Sequence, residues 1–400
     1  MKTREWPYDG SCEADVHRAA GWRPVPINEY ILKIESRCNL NCDYCYVYNM
    51  GDESWRSAPR MMSFDIAKRA AERIRDHAVR HDMPRIGLSF HGGEPLLHGL
   101  DPIRRYVSIF TEVLAPVEAE FSLQTNATLV TPEIAKGLHE LGIRVGVSID
   151  GDEDGNRHRL DLGGKSTYAR VVAGIDRLRD HPDVLQGILA VIDIRNPPLA
   201  TYEALRALDL KSIDFLLPHG TWEKTPPLKN GRRGTGQPAP YGDWLATIYS
   251  EWAADDDRPR VRIFDDMIHL LLGGESAFEM LGLSPARLAV VESNGDLELV
   301  DHIGITYDGA AETVVNVLTH PVDALLEHPG VVARQIGEKA LHDDCVSCEL
   351  KELCGGGLIT HRYDPDGGFK NPSVYCSDLY RLFSVIHDDL VRRIEAPQSA

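Results

Sequence analysis

In the first half of the chain, short apolar runs alternate with stretches whose apolar residues recur every three or four positions. Residues 30–34 (YILKI) read as a strand, and residues 64–81 set Ile66, Ala70, Ile74 and Ala78 on one helical face. Residues 86–90 form a second strand running into His-Gly-Gly-Glu-Pro, and residues 103–114 a helix. A strand at 120–124 precedes Thr-Asn-Ala-Thr, and a helix at 132–141 carries proline in its first turn. A strand at 145–149 ends in Asp-Gly, followed by a helix at 168–178, a strand at 188–192, a short helix at 202–208 and a sixth strand at 213–217.

Six strand–helix units in about 190 residues predict an α/β fold with a parallel sheet and crossover helices. Six falls short of the eight of a closed barrel, so a partial (β/α)6 TIM-like barrel is expected. Chemistry in such folds sits at the C-terminal ends of the strands. Cys38 follows the first strand, residues 91–95 the second, residues 125–128 the third and Asp150 the fourth.

After Pro218 the pattern changes. Residues 226–241 are rich in Pro, Gly and Arg and read as a loop. Helices are expected at 241–254, 263–272 and 379–394, and a hairpin over 289–301 turning at Asn294-Gly295. The expected organisation is an N-terminal extension (1–28), the barrel (29–220), a bridging region (221–340) and a C-terminal tail (341–400).

Composition narrows the class. A chain of 400 residues, 43% hydrophobic and 26% charged, is globular and long enough for two to three domains. A net charge of −18 speaks against nucleic acid held on a basic face. The N-terminus has no apolar signal core, and no apolar run approaches the length of a membrane span, so a cytoplasmic, membrane-free protein is expected. Clustered cysteines in that compartment are ligands or catalytic groups more often than disulfides. Seven of the eight cysteines fall into two groups, and Cys12 stands alone.

Cys38, Cys42 and Cys45 are spaced C-x3-C-x2-C on a loop after a strand. Three thiolates on a four-iron cluster leave one iron open to a small molecule. A closed zinc site needs a fourth ligand, which would have to come from elsewhere in the chain. Cys345, Cys348, Cys354 and Cys376 make a closed set of four, which by spacing alone suits zinc as well as iron–sulfur.

The first motif resembles that of the radical S-adenosylmethionine enzymes. The resemblance implies a 4Fe–4S cluster on Cys38, Cys42 and Cys45 whose open iron holds S-adenosylmethionine, cleaved to a 5′-deoxyadenosyl radical that takes a substrate hydrogen. It also implies cofactor contacts from Tyr44, His91, Gly92, Gly93, Glu94, Pro95, Gln124, Asn126, Ser148 and Arg170. The C-terminal cysteines resemble the SPASM extension of peptide maturases, which carries auxiliary 4Fe–4S clusters. Two positions where that pattern has cysteine are Val300 and Leu358 here. Two clusters are therefore expected, the auxiliary one on Cys345, Cys348, Cys354 and Cys376.

Further segments, among them Gly21-Trp-Arg-Pro24, Phe215-Leu-Leu-Pro-His219 and Asn371-Pro-Ser-Val-Tyr-Cys376, are similar to FxsB-type proteins of this family. That resemblance implies a ribosomally made precursor peptide as substrate, an electron donor such as flavodoxin or ferredoxin, a bacterial source, and a carbon–carbon crosslink between an aromatic ring and a β-carbon, giving a three-residue cyclophane. Restoring the ring then requires a base, for which Asp214, His219 and Asp301 are candidates. The alternatives are sulfatase maturation, thioether crosslinking or epimerisation, and a non-enzymatic zinc scaffold. The missing cysteines count against the sulfatase and thioether groups. Three weaker motifs are read plainly: Gly164-Lys165-Ser166 as a turn, His77 and His81 as a solvated helix face, and residues 231–236 as a linker.

Overall fold

The computed structural model describes residue 6 and residues 11–276 and 279–395. The chain forms two compact units, Met1–Ala190 with Ala286–Gln335, and Val191–Pro285 with Ile336–Ala400. The last five residues of the expected tail and most of residues 1–10 lie outside the described residues.

The first unit holds strands β1 (Glu29–Glu35), β2 (Arg85–Gly92), β3 (Glu118–Thr125), β4 (Arg144–Ser148) and β5 (Leu185–Val191). Helices α1 (Ala14–Ala19), α2 (Phe64–Arg80), α3 (Leu100–Leu114), α4 (Pro132–Glu140) and α5 (Tyr168–Arg179) precede or separate them. The strands lie parallel in the order β5-β4-β3-β2-β1. Leu32 faces Phe90, Leu88 faces Phe121, and Val147 faces Ile188 across the ladders. Along β2 buried and half-buried positions alternate, as a sheet covered by helices on one face requires.

Local sequence sets the helix ends. Ser63 caps α2 by accepting the Ile66 N–H, and Thr131 caps α4 just before Pro132. The small apolar stripe of α2 (Ala67, Ala70, Ala71, Ile74, Ala78) is fully buried.

In chain order there follow α6 (Pro198–Arg206), β6 (Ser212–Leu216), α7 (Pro240–Ala254), β7 (Arg260–Val261) and α8 (Arg262–Leu271), all in the second unit. The six expected strand–helix units of the α/β partial barrel are thus present in order. The expected hairpin forms as β8 (Leu288–Val291) and β9 (Leu297–Glu298), antiparallel, with Gly295 at φ 89° in the turn. It belongs to the first unit, where β8 pairs in parallel with β1. Helix α9 (Pro329–Ala333) closes that unit, while α10 (Asp343–Val346), α11 (Lys351–Cys354) and α12 (Cys376–Glu395) complete the second.

One expectation is corrected here. His77 does not line a solvated face: it is 1% exposed, and its Nδ1 lies 3.2 Å from Asp323, which also takes His81 Nε2 at 2.6 Å. The helix face that looked polar is covered by residues 322–327. Among the described residues, no helix is long and apolar enough to cross a membrane.

Candidate functional site

The loop after β1 carries Cys38, Cys42 and Cys45, all half-buried free thiols. Burial pushes Cys38 up to about 12 and Cys42 to about 11, the latter opposed by the Arg159 charge, and Cys45 upward as well. Such thiols stay protonated at neutral pH unless a cation takes the proton's place. A three-thiolate set of this kind fits an iron–sulfur cluster, whose iron supplies that positive charge.

The end of β2 is locked onto this loop. A Cβ at Gly92, where φ is 142°, would sit 1.8 Å from the Glu35 carbonyl oxygen, and one at Gly93 would sit 2.1 Å from Tyr48 Oη. Only glycine fits either place. Gly93 and Glu94 donate their N–H groups to the carbonyls of Glu35 and Arg37 at 2.9 and 3.0 Å. Glu94 itself is fully buried beside the buried Pro95. Its carboxylate accepts from Thr125 Oγ1 at 2.7 Å, Asn126 N at 2.8 Å and Leu96 N at 3.1 Å. Burial raises its pKa against those three donors. The geometry makes Glu94 a brace between the β2 and β3 loops.

The other expected contacts fall into two sets. Gln124 Nε2 donates to Ser148 Oγ at 2.8 Å across β3 and β4. Asn126 Nδ2 donates to Asn39 Oδ1 at 2.9 Å and lies 3.9 Å from Cys38 Sγ, so it joins the cysteine loop. His91, half-buried, keeps Nδ1 3.2 Å from the Gly92 carbonyl, and burial and the Lys33 charge hold its pKa down. Arg170 stands apart: it is half-exposed on α5, 2.8 Å from Asp161.

A different arginine lies beside the cysteines. Arg159 is 7% exposed and donates from Nη1 to Tyr44 Oη at 2.8 Å, while the Tyr44 hydroxyl donates to Asp150. Its Nε is buried without a hydrogen-bond partner. Sequence reasoning passed over Arg159, which sits in no recognisable motif. Tyr44, expected at the cofactor, and the strand-end position of Asp150 pointed toward this cluster.

The three candidate bases separate. Asp301 lies in the first unit, 2.9 Å from the buried ammonium of Lys33. Burial works against the Lys33 charge, but Asp301 and Glu292 outweigh it and hold the lysine protonated. These residues line one small cavity with Tyr46, Gly92, Gly93 and Glu298. Asp214 pairs with Arg262 in the second unit, and burial raises its pKa. His219 in that unit stands 3.4 Å from His361, its pKa lowered by burial to about 4.

Cys345, Cys348, Cys354 and Cys376 line a cavity of about 520 Å³ within the second unit. Burial pushes Cys354 to about 11 and Cys376 to about 12. Four inward thiols around so large a space fit a four-iron cluster, which is larger than a single zinc ion. Gly355, Gly356 and Gly357 follow Cys354 with φ of 59°, 79° and 71°. Their carbonyls accept the guanidinium of Arg362 at 2.6–3.1 Å, a buried clamp that the spacing of the cysteines did not reveal. The non-cysteine positions Val300 and Leu358 are buried aliphatic residues, 3% and 8% exposed.

Residues 32–194 match the family model of the Radical SAM superfamily, from within β1 to just past β5. This matched stretch carries the cysteine loop and the parallel strands β1–β5 of the first unit. The chain is similar to the serine-type anaerobic sulfatase-maturating enzyme of Bacteroides thetaiotaomicron, at 24% identity over 90% of this chain and 89% of that one. It is likewise similar to the serine-type enzyme of Klebsiella pneumoniae, at 27% identity over 91% and 88%. Among solved structures, anSMEcpe with bound AdoMet shares the fold with a TM-score of 0.78 at 24% identity, covering 92% of this chain and 98% of that one. Streptococcus suis SuiB bound to its precursor peptide SuiA shares it with a TM-score of 0.57 at 13% identity, covering 90% and 78%.

Proposed function

We propose that this chain is a radical S-adenosylmethionine enzyme that oxidatively modifies a ribosomally made peptide, joining an aromatic ring to a β-carbon two residues away. The observation that carries the reading is the three-cysteine loop at the C-terminal end of β1, locked against Gly92-Gly93. When bound, the cluster and S-adenosylmethionine supply a carbon radical that removes a hydrogen atom from the substrate.

The chain's own residues position and exclude. Cys38, Cys42 and Cys45 hold the first cluster. Gly92 and Gly93 let the end of β2 pack directly against the backbone of the cysteine loop, and Glu94 fixes the backbone behind it. Tyr44 on the loop and Asn126 beside Cys38 would contact the cofactor, with Arg159 as the buried cation on Tyr44; Gln124, Ser148 and His91 are assigned to it from their strand-end positions. Cys345, Cys348, Cys354 and Cys376 would hold an auxiliary cluster, which would supply an acceptor for the electron that the coupled product must lose. Asp301 accepts the ring proton, and the Lys33 ammonium steadies its carboxylate. A flavodoxin- or ferredoxin-type donor supplies the starting electron.

The relatives favour a second reading. Sulfatase-maturating enzymes match this chain along about nine-tenths of its length, so oxidation of a single serine or cysteine side chain is the alternative. Both readings are tested by co-expression with the short peptide genes encoded beside this one, followed by tandem mass spectrometry. A crosslink loses two hydrogens and suppresses fragmentation inside a three-residue segment. Serine oxidation also loses two hydrogens, but leaves a fragmentable chain and an aldehyde that reacts with hydrazide. An unmodified peptide beside an iron-loaded enzyme rejects both for that peptide.

A further inference from the structure

The cavity beside Asp301 is short of positive charge. Glu35, Asp52, Glu292, Glu298 and Asp301 bring five carboxylates to its wall, and Lys33 brings one ammonium; Glu35 is answered by His98 and Asp52 by the Ser54 hydroxyl. Lys33 stands 2.9 Å from Asp301 and 3.8 Å from Glu292. Glu298 is 8% exposed and, among the described residues, has neither an ion-pair nor a hydrogen-bond partner. Leaving a carboxylate buried and unpaired is costly unless a cation arrives or a proton is retained. Burial next to Glu292 and Asp301 holds the Glu298 carboxyl far above its ordinary range, as expected where such a partner is missing.

The cavity carries a second unanswered group, a donor. Trp55 lines it, and the indole Nε1 is buried without a hydrogen-bond partner. A tryptophan N–H can only donate, so it leaves the carboxylates of this wall, not the indole, to answer a cation. Gly92 and Gly93, assigned above to the cofactor, form another part of the wall. The enclosed space is about 30 Å³, enough for one water-sized group. An ammonium has that size; a planar guanidinium is larger.

We propose that this cavity receives the ammonium head of a lysine side chain of the peptide substrate, paired with Glu298. The inference rests on the peptide-modifying reading and narrows it to substrates with lysine at or next to the modified position. It makes Glu298 a specificity-determining residue, distinct from the base role given to Asp301.

The test is calorimetric binding to the iron-loaded full chain with S-adenosylmethionine present. The probes are acetyl-Gly-Trp-Gly-X-Gly-amide peptides with X as lysine, arginine, glutamine or norleucine. A charge-assisted hydrogen bond is available only to the lysine head, so the lysine peptide should bind about tenfold or more tighter than the norleucine peptide. Arginine and glutamine should fall near norleucine. In Glu298→Gln with unchanged iron content, the lysine preference should shrink to about threefold or less. Equal binding of lysine and norleucine peptides to the wild-type chain overturns the cation pocket while leaving the peptide reading standing. So does a lysine preference that survives Glu298→Gln. If none of the four peptides binds, the peptide reading falls and the pocket assignment falls with it.

Discussion

Glu94 Oε2 accepts the backbone N–H of Asn126 at 2.8 Å, tying the turn after β2 to the turn after β3. Three donors converge on this one buried carboxylate. An amide in its place cannot accept equally at both ends. Glu94→Gln should cost about 1–3 kcal/mol, read as a lower denaturant midpoint. Because Asn126 also reaches Cys38, the variant should bind S-adenosylmethionine more weakly at equal iron content. An unchanged midpoint and unchanged cofactor binding would remove the bracing role.

Iron counting separates the two cysteine groups. Anaerobic reconstitution should give about eight irons per chain. Replacing Cys42 by Ala should remove about four and abolish cofactor cleavage. Replacing Cys348 by Ala should also remove about four but leave cleavage of S-adenosylmethionine measurable while blocking the modified product. A wild-type count near twelve would mean that Val300 and Leu358 do not mark a missing cluster.

The buried Lys33 ammonium pairs with Asp301 and Glu292 and lies in the field of the buried Glu298, so Lys33→Met should be among the most damaging single changes in the first unit. Removing one partner of a buried pair costs about 3–5 kcal/mol. Adding Glu298→Gln to that variant should restore part of the loss, because it removes one of the stranded acids. Thermal unfolding of the single and double variants measures this. A double variant no more stable than the single would show that Glu298 does not share the field of Lys33.

His328 gives a pH-dependent case with a definite sign. Its Nδ1 accepts the Gly330 N–H at 3.1 Å and caps α9, which needs a neutral ring. Burial lowers its pKa to about 4, against about 6.5 in an unfolded chain. Between these values the unfolded chain takes up a proton that the folded chain refuses. Acidification through that window therefore removes the stability that the neutral ring provides. His328→Asn keeps a capping acceptor that does not titrate. The wild type's stability relative to this variant should fall as pH drops from about 6.5 to about 4 and stay level above that. A difference independent of pH would contradict the assignment.

Asp301→Asn tests the proton-accepting role. Crosslinked or oxidised product should be lost while cofactor cleavage in the presence of peptide continues. Asp214→Asn provides the contrast and should leave product formation intact, since Asp214 is engaged by Arg262 and does not line the Asp301 cavity.

What could be read from the sequence was local. The cysteine loop, Gly92-Gly93 and the Gln124–Ser148 pair follow from short spacings and from strand ends. The small-residue stripe of α2 likewise announced its buried face. What could not be read depended on partners far along the chain. Lys33 meets Asp301, Arg159 meets Tyr44, and His77 meets Asp323 only because the sheet brings them together. Nothing in the periodicity of residues 288–291 said that β8 would pair with β1. Arg362 was invisible for the same reason: its partners are carbonyl oxygens, which leave no mark on side-chain patterns.

Helix α12 begins at Cys376 itself, three residues before its apolar pattern does, and runs to Glu395. The thiolate that completes the auxiliary set is thus the first residue of a twenty-residue helix, at the end where the backbone dipole favours negative charge. Holding iron and winding the first turn of this helix are therefore coupled. Chelating the auxiliary iron should loosen the C-terminal end and expose it to proteases, so that metal supply acts as a quality check on the folded chain.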